Sequence, residues 1–355
     1  MGVRIAVVGA TGAVGQEMRR QLELREVPLD GEPVFLASSR SAGTRLPWKD
    51  GEVEVREVAA EAFDGVDIAL FSAGGGRSRE WAPVAVERGA TVIDNSSAFR
   101  MDAQVPLVVS EVNPHAIGPR PKGIVANPNC TTMVLMVAVK PLHAAFGLTE
   151  VVASSYQAAG GAGQSGISEL LEQSRALLEQ PDRLWREGAA VEADIDAATF
   201  SKALAFNVLA HCGSFTDGRY TDEEWKLVHE SRKILDLPQL RVSPTCVRVP
   251  VVVGHGIAAR LTFSQPVARD AALEVLADAP GLVVEDGIGH DDEPLAYPTP
   301  LGSAGRDEVL VGRLREDLGD PNSLNLFVVG DNLLKGAALN AVQLAELVLA
   351  ESSER

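Results

Sequence analysis

The stretch from Arg4 to Glu23, RIAVVGATGAVGQEMRRQLE, decides the fold of the N-terminal part of the chain. Its first five residues are nearly all apolar, which is typical of a parallel strand covered on both faces. Glycines at 9, 12 and 15 and a helical pattern follow. This order is a variant of the dinucleotide fingerprint, in which the turn and the helix N-terminus bind a pyrophosphate. A glycine-rich turn without a ligand is the alternative that this stretch alone leaves open.

Further strand and helix patterns alternate along the first 130 residues. The apolar runs in VDIALFSA, ATVIDNSS and GIVAN read as strands, and a Rossmann-like, doubly wound parallel sheet is predicted. Ligands of such sheets bind beyond the carboxyl ends of the strands. Polar or glycine-rich residues follow three of these runs, so we expect them to gather at one edge of the sheet; they begin at Ser72, Asn95 and Asn127.

The second apolar segment, PVFLASSRSAG, indicates which dinucleotide binds. An Asp or Glu near the end of this strand binds the ribose 2′-hydroxyl of NAD, but none is present here. Ser38, Ser39, Arg40 and Ser41 stand there instead, and hydroxyls with a guanidinium suit a 2′-phosphate. NADP(H) is therefore predicted over NAD, with an ordinary polar turn as the alternative.

Composition excludes several classes of protein. The net charge of −17 argues against nucleic acid and anionic membranes as partners. The N-terminus has no signal-peptide pattern, and no apolar run has membrane-spanning length. The three widely spaced cysteines, Cys130, Cys212 and Cys246, read as thiols in a reducing cytoplasm. No His/Cys cluster has the spacing of metal ligands, so no metal is expected.

The second half of the chain predicts a different sheet. Runs rich in β-branched residues, separated by long connections, indicate a mixed or antiparallel arrangement. The segment DEEWKLVHESRKILDL predicts an amphipathic helix with Trp225, Val228, Ile234 and Leu235 on its apolar face. Residues 180–200 are polar and give no functional signal, and the C-terminal segment reads as one long helix.

Cys130 lies between the turn Asn127-Pro128-Asn129 and a long apolar run. A helix beginning at this point would favour the thiolate, the reactive form of a cysteine nucleophile. The backbone N–H groups of Thr131 and Thr132 would be free in the first turn and, with Asn129, could form an oxyanion site. An inert core cysteine is the alternative. Six histidines are available as a base, and their spacing does not choose among them.

Seven segments in order give the chain a family resemblance. They are GATGAVG, NSSAFRMD, NPNCTT, YQAAGGAG, DEEWK, CVRVPVVVGHG and GDNLLKGAALNAVQLAE. Over nearly its whole length the chain resembles bacterial aspartate-β-semialdehyde dehydrogenase. The resemblance implies a nucleotide-binding domain of residues 1–127 and 332–355. It also implies an α+β catalytic domain of residues 128–331, with a mixed sheet that forms a homodimer.

The resemblance also implies a reaction. L-4-aspartyl phosphate, NADPH and a proton would give L-aspartate 4-semialdehyde, phosphate and NADP⁺, reversibly and through a cysteine thioester. In cells this step supplies lysine or diaminopimelate, threonine, methionine and isoleucine. The expected partners are therefore these small molecules and a second copy of the chain.

The family's catalytic residues can be carried over one by one. The nucleophile falls on Cys130, the acid/base histidine on His255 and the orienting glutamine on Gln157. An arginine inside an apolar strand is costly unless it is paired, so an internal salt bridge of the substrate-binding Arg248 stays open. A surface ion pair is the alternative for Glu223 and Lys226. The implied substrate contacts are Arg248 for the α-carboxylate, Glu223 for the α-amino group, Lys226 and Arg100 for phosphate, and Asn129 for the carbonyl.

The cofactor contacts carry over in the same way, and one residue departs from the pattern. The family often has serine where this chain has Gly160, and a cofactor or loop effect is expected there. The implied contacts are Gly9, Thr11, Gly12, Ala13 and Val14 for the pyrophosphate, Ser38, Arg40 and Ser41 for the 2′-phosphate, and Ser72, Gly74, Gly163 and Asn332 nearer the nicotinamide.

Two other functions remain as alternatives. N-acetyl-γ-glutamyl-phosphate reductase has similar chemistry, but its substrate lacks the charged amine that Glu223 would bind. A non-catalytic homologue would have lost the cysteine, whereas Cys130, Gln157, Arg248 and His255 are all present.

Overall fold

The computed structural model of the protein describes residues 2–290 and 294–353. The chain divides into two compact units: Met1–Met133 with His229–Pro238 and Leu333–Arg355, and Val134–Val228 with Gln239–Asn332. The predicted domain boundaries stay a prediction, and their ends at residues 1 and 355 lie outside the described residues. The first unit also contains 128–133 and 229–238, which the prediction assigned to the catalytic domain.

The first unit contains a six-stranded parallel sheet of order β5-β2-β1-β6-β7-β8. The predicted Rossmann-like, doubly wound fold is therefore confirmed. The direction of strand order reverses at β1, which lies between β2 and β6. The elements are β1 (Ile5–Val8), α1 (Ala13–Leu24), β2 (Val34–Ala37), the hairpin β3 (Arg45–Trp48) and β4 (Gly51–Glu54), β5 (Arg56–Glu57), β6 (Ile68–Phe71), α2 (Gly75–Glu87), β7 (Thr91–Asp94), β8 (Ile124–Ala126) and the start of α3 (Cys130–Phe146).

The fingerprint glycines allow β1, its turn and α1 to approach closely. Gly9 has a φ of +88°, and a Cβ there would collide with the backbone carbonyl of Ser72. A Cβ on Gly15 would collide with the carbonyl of Gly9. Any other residue at either position would push the helix or β6 away from β1.

The second unit contains a six-stranded mixed sheet of order β10-β9-β11-β16-β15-β12, as predicted. Strand β9 pairs parallel with β10 and antiparallel with β11. The elements are β9 (Leu148–Gln157), α4 (Gly163–Leu178), α5 (Pro181–Arg186), α6 (Gly188–Asp194), the first half of α7 (Asp222–Leu235), β10 (Arg241–Arg248), β11 (His255–Phe263), α8 (Arg269–Ala277), β12 (Leu282–Val284), β13 (Gly287–Ile288), β14 (Leu295–Ala296), α9 (Pro300–Ser303), β15 (Val309–Glu316) and β16 (Ser323–Gly330).

One face of this second sheet is open to solvent. The outward side chains of β9 include Val152, 39% exposed, and Tyr156, 38% exposed. The Tyr156 ring tilts against Phe327 of β16, and a Cβ on Gly256 would lie 2.7 Å from the tip of the Phe327 ring. An aromatic ring thus covers a glycine in the middle of the sheet. We call the outward residues of β9, β10, β11 and β16 the open face.

Helix α7 has the predicted amphipathic character with one difference. Val228, Ile234 and Leu235 are buried as expected, but Trp225 is 36% exposed and the prediction for it is wrong. Its ring packs at the surface against the ring of Tyr220, 5.6 Å away. Leu227 is buried instead and continues the stripe of Ile234 by i,i+7 spacing.

The C-terminal segment is not one continuous α-helix. A π-helical turn, Leu334–Ala338, precedes α10 (Leu339–Ser353). The turn directs Lys335 inward, where its ammonium contacts Glu111 and donates to Ser110 and Asn340. Apolar residues of α10 share a core with β1 and α1. Among the described residues, no helix is both long and apolar enough to cross a bilayer.

Candidate active site

The carboxyl ends of β6, β7 and β8 bring the predicted polar residues to one edge of the first sheet. The N–H of Asn95 donates to the carbonyl of Phe71, at the end of β6, over 2.9 Å. The N–H of Asn127 donates to the carbonyl of Asp94, at the end of β7, over 2.8 Å. The gathering of these segments is confirmed, and Cys130 lies three residues beyond Asn127.

Cys130 is the first residue of α3, as predicted, and it is half-buried. Asn129 caps this helix, because its Oδ1 accepts from the N–H groups of Thr131 at 3.0 Å and Thr132 at 3.1 Å. The expectation that these two N–H groups are free is therefore wrong: the side chain before the cysteine takes them. The cap fixes the first turn of α3 beside the Cys130 sulfur. The roles of Asn129 and Cys130 in binding and catalysis stay predictions.

A buried carboxylate that the sequence did not reveal holds both Asn129 and Arg100. Glu230 of α7 is 1% exposed. One of its oxygens accepts from the N–H of Asn129 at 2.6 Å, and the other from Nη1 of Arg100 at 3.0 Å. Arg100 also donates to the carbonyls of Asn127 and Asn95, each at 2.9 Å. Three of its five N–H bonds are thus used within the unit.

The predicted dinucleotide residues of the first unit follow β1, β2 and β6, at the same edge of the first sheet, whereas Gly163 and Asn332 lie in the second unit. Helix α1 begins after Gly12 and helix α2 after Gly74, and neither start has a side-chain cap. Uncapped N–H groups beside a sheet edge suit an anion such as a pyrophosphate. Ser38 and Arg40 directly follow β2, and Arg40 is exposed and forms no ion pair with any described residue. The individual cofactor contacts stay predictions.

Three strand ends meet at one point of the second sheet. Gln157 is the last residue of β9, and Arg248, the last of β10, is its partner in the parallel register. His255 is the first residue of β11, which runs antiparallel to β9 with Gly256 opposite Tyr156. Gln157 and Arg248 are 91 positions apart in sequence, and Arg248 and His255 are 7 apart. Strand register makes the three residues neighbours.

The backbone of Ala158 holds two of these side chains. Its N–H donates to Nδ1 of His255 at 3.0 Å, and its carbonyl accepts from Nη1 of Arg248 at 2.6 Å. Because Nδ1 accepts this hydrogen bond, the neutral imidazole carries its own proton on Nε2. Nε2 is buried and has no hydrogen-bond partner among the described residues.

His255 is neutral at physiological pH. Burial lowers the pKa of the ring to about 3, and the positive charge of Arg248 acts in the same direction. In this tautomer the ring is a hydrogen-bond donor at Nε2. The ring could accept a thiol proton at Nε2 only after Nε2 had lost the proton that it carries in this tautomer.

Arg248 is 8% exposed and forms no ion pair with any described residue. The alternative of an internal salt bridge finds no partner for Arg248 within residues 2–290 and 294–353. Its guanidinium lies over the ring of Phe200, 5.7 Å from the ring centroid. A buried arginine without a counter-ion is costly, which fits a site for an anionic group of a ligand. Phe200 lies in the polar stretch that gave no functional signal in the sequence.

Gln157, Glu223 and Lys226 form a second cluster in this unit. Nε2 of Gln157 donates to Glu223 at 3.3 Å, and Nζ of Lys226 donates to the other oxygen of Glu223 at 3.0 Å. Lys226 also pairs with Asp222 at 2.7 Å. Burial acts to lower the pKa of Lys226, but the two carboxylates outweigh it and raise the pKa above its ordinary value. The pair is not a surface one, because the Glu223 side chain is only 11% exposed.

The glycine turn after β9 leaves room beside these groups. A Cβ on Gly160 would lie 2.8 Å from the carbonyl of Val252, which explains why serine is absent here. A Cβ on Gly161 would lie 2.8 Å from Nη1 of Arg248 and 3.2 Å from Nε2 of His255. Oδ1 of Asn332 accepts from the N–H of Gly254 at 2.9 Å, and its buried Nδ2 has no partner among the described residues.

Comparison with known proteins identifies relatives over the full chain. Residues 4–119 match "Semialdehyde dehydrogenase, NAD binding domain", and residues 139–335 match "Semialdehyde dehydrogenase, dimerisation domain". The chain is 50% identical to an aspartate-semialdehyde dehydrogenase of Streptomyces akiyoshiensis, over 98% of this chain and 99% of the relative. It is 47% identical to that of Corynebacterium glutamicum, over 97% and 99%. The crystal structure of aspartate semialdehyde dehydrogenase II complexed with ASA from Vibrio cholerae has a TM-score of 0.91, 41% identity and 99% coverage of both chains.

The geometry around Gly161 makes a prediction. Replacing Gly161 by Ala should displace the Arg248 guanidinium, which would lie only 2.8 Å from the new Cβ, and should move the His255 ring by a few tenths of an ångström. A shift of this size should lower kcat/KM by about 100-fold while the protein stays folded. Steady-state kinetics and circular dichroism measure the two effects.

The matched control is Gly188→Ala, because a Cβ at Gly188 meets no atom within 4 Å. This variant should keep wild-type kinetics. Full activity of Gly161→Ala would contradict the close approach of the three residues.

Proposed function

The chain belongs to the aspartate-semialdehyde dehydrogenase family, and we propose that it catalyses the reversible, NADPH-dependent reductive dephosphorylation of L-4-aspartyl phosphate to L-aspartate 4-semialdehyde. The observation that carries the proposal is the pair of buried, uncompensated donors that Ala158 holds, Nε2 of His255 and the guanidinium of Arg248. Full-length similarity to dehydrogenases of this name supports it. As the family resemblance implies, the step would serve the biosynthesis of lysine or diaminopimelate, threonine, methionine and isoleucine.

Cys130 is the proposed nucleophile. Its thiolate attacks the acyl carbonyl of aspartyl phosphate, the bond from that carbon to the phosphate oxygen breaks, and a thioester remains on the sulfur. The position at the start of α3 supports this role, because the helix dipole favours a negative sulfur there. In the opposite direction, phosphate attacks the thioester and releases the thiolate.

His255 is the proposed donor to the reacting oxygen. Negative charge develops on the carbonyl oxygen in each tetrahedral state, and an N–H on Nε2 stabilises that charge. The bond from Ala158 keeps the proton on Nε2, and burial keeps the ring neutral. The expected role of His255 as the base for the thiol proton stays a prediction.

The charged groups match the charges of the proposed substrate. Arg248 would bind the α-carboxylate and Glu223 the α-ammonium, while Lys226 and Arg100 would bind the phosphate. The carboxylate of Glu223 also favours this substrate over an N-acetylated one, which has no positive charge at that point. The relatives named above give no support to the N-acetyl-γ-glutamyl-phosphate alternative.

The first unit matches a dinucleotide-binding domain, and we propose NADP(H) as the dinucleotide. When bound, the nicotinamide supplies or accepts the hydride of the reaction. Ser38, Arg40 and Ser41 would hold the 2′-phosphate, because no carboxylate follows β2 to bind a 2′-hydroxyl. Gly9, Thr11 and the uncapped start of α1 would hold the pyrophosphate.

The second unit contains a dimerisation domain, and we propose a homodimer formed through the open face. This face carries the half-exposed Val152 and Tyr156 on a sheet that nothing else in its unit covers at these residues. A second copy would bury them in a symmetric interface. The cytoplasm stays the predicted location.

The first test concerns the nucleophile. Cys130→Ala should lower phosphate-dependent reduction of NADP⁺ with aspartate semialdehyde by at least about 10⁴-fold, because no thioester can form. Absorbance at the nicotinamide band measures the rate. Cys246→Ala, which removes a buried thiol in β10, is the control and should stay active. Retention of most activity by Cys130→Ala would reject the mechanism, and no activity of the wild type would reject the function.

The second test concerns the cofactor. Arg40→Ala should raise the KM for NADP⁺ by about 10- to 100-fold and leave the KM for NAD⁺ nearly unchanged, because only NADP⁺ carries the 2′-phosphate. Arg45→Ala removes the same charge from β3 and should change neither value. Equal losses for both dinucleotides in Arg40→Ala would place the 2′-phosphate elsewhere.

The third test concerns self-association. Light scattering should give twice the chain mass of 37.5 kDa for the wild type and a mass close to one chain for Val152→Glu. A charge placed at the centre of an apolar interface is costly to bury. Leu318→Glu, at a fully exposed leucine outside the open face, should remain dimeric. An unchanged mass of Val152→Glu would move the interface to another surface.

A further inference from the structure

Arg248 is held by two neighbours of different kinds. The carbonyl of Ala158 takes one N–H bond of the guanidinium edge, at 2.6 Å. The ring of Phe200 lies against the guanidinium, with its centroid 5.7 Å from Cζ. An aromatic face attracts a cation without using its N–H bonds. The remaining donors of the guanidinium therefore stay available for a ligand.

A carboxylate in the place of Phe200 would have the opposite effect. It would neutralise Arg248 and compete with any anionic group that binds there. The described residues place no acid within ion-pair distance of this guanidinium. A ring that orients the cation and leaves its charge uncompensated is thus suited to a site for an incoming carboxylate.

The position of Phe200 is fixed from helix α4. Glu169 of α4 accepts from three successive backbone N–H groups, those of Ala198 at 3.1 Å, Thr199 at 2.6 Å and Phe200 at 3.4 Å. One carboxylate that binds a run of N–H groups gives a loop a defined backbone conformation. The loop residue that carries the ring is therefore anchored directly.

A second anchor follows one turn later on α4. Oε1 of Gln173 accepts from the N–H groups of Leu204 at 2.9 Å and Ala205 at 3.2 Å. Its Nε2 donates to the carbonyl of Asp196 at 2.8 Å. The loop is thus fastened to α4 on both sides of Phe200.

The ring itself packs against α4. A Cβ on Gly166 would lie 3.0 Å from Cζ of Phe200, so the glycine lets the ring approach the helix. Phe200 also packs against a small core that contains Ala159 and Leu170. The ring therefore has a fixed support on one side and the guanidinium on the other.

We propose that Phe200 is a positioning residue that orients Arg248 for the substrate carboxylate and thereby sets specificity for it, with Glu169 holding the loop in place. This inference rests on the proposed function, in which Arg248 binds the α-carboxylate. It assigns a role to the stretch of chain between α6 and α7, which has no regular secondary structure around Phe200.

Phe200→Leu tests the proposal, because leucine keeps apolar packing and loses the aromatic face. The KM for aspartate semialdehyde should rise about three- to tenfold, while the KM for phosphate and kcat should change by less than about twofold. Phe200→Tyr keeps the ring and should restore the wild-type KM. A loss confined to kcat, or an equal loss in Phe200→Tyr, would overturn the proposal.

A double-mutant cycle with Arg248→Leu separates positioning from general packing. In the Arg248→Leu background, Phe200→Leu should cause no further loss of kcat/KM for aspartate semialdehyde, because the ring acts through the guanidinium. If the losses of kcat/KM in the two single variants multiply in the double variant, the ring acts independently of Arg248 and the inference is rejected. Wild-type protein without any activity would instead reject the proposed function, so the two failures are distinguishable.

Glu169→Gln tests the anchor of the loop. It should raise the KM for aspartate semialdehyde in the same selective way as Phe200→Leu, since the neutral amide binds the three N–H groups less well. Glu172→Gln removes an exposed charge from the same helix and should leave the kinetics unchanged. Wild-type kinetics of Glu169→Gln would remove Glu169 from the proposal.

Discussion

The candidate site depends on the backbone of one residue, Ala158, whose N–H donates to His255 and whose carbonyl accepts from Arg248. The N–H fixes the tautomer of the imidazole, and the carbonyl fixes the edge of the guanidinium. Both bonds exist only because β10 and β11 flank β9 in a particular register. A slip of one residue in either strand would turn the side chain to the other face of the sheet. The chemistry of the site is therefore a consequence of strand pairing, and the glycines that follow Ala158 keep the space beside it open.

Arg100 and Arg248, the two buried arginines in the described part of the chain, have different partners. Arg100 is compensated by Glu230, whose second oxygen binds the backbone before Cys130. Arg248 has a carbonyl and a ring instead of a carboxylate. A buried charge without a counter-ion destabilises the fold, and the proposed binding of an anionic group at Arg248 would offset this cost. Arg100, by contrast, contributes to the architecture of the helix start even before any ligand is bound.

The sequence was sufficient for features that local patterns encode. The fingerprint glycines predicted the first sheet, and the apolar run after Cys130 predicted a helix that begins at that residue. Glu230 and Phe200 could not be found in this way, because their partners are far away in the chain and their surroundings are ordinary polar stretches. The same holds for Trp225, where helical periodicity predicts a buried face but a surface contact with Tyr220 decides the outcome. The prediction of free N–H groups at Thr131 and Thr132 was wrong for a local reason, because the side chain of an asparagine before a helix accepts hydrogen bonds from them.

In the proposed function, the arrangement of Lys226, Glu223 and Gln157 would allow a strongly acidic protein to bind a substrate with both signs of charge. Before binding, the ammonium of Lys226 is neutralised by Glu223 and Asp222. A substrate that brings an ammonium and a phosphate can exchange partners with this pair, so that each protein charge keeps an opposite charge beside it. The free-energy cost of removing these charges from water is then offset by ion pairs of similar strength, and the fixed positions of the protein charges favour binding. In the proposed function, a substrate without the ammonium would draw Lys226 toward its phosphate and bring no cation to Glu223 in exchange, and such a mismatch would disfavour that substrate.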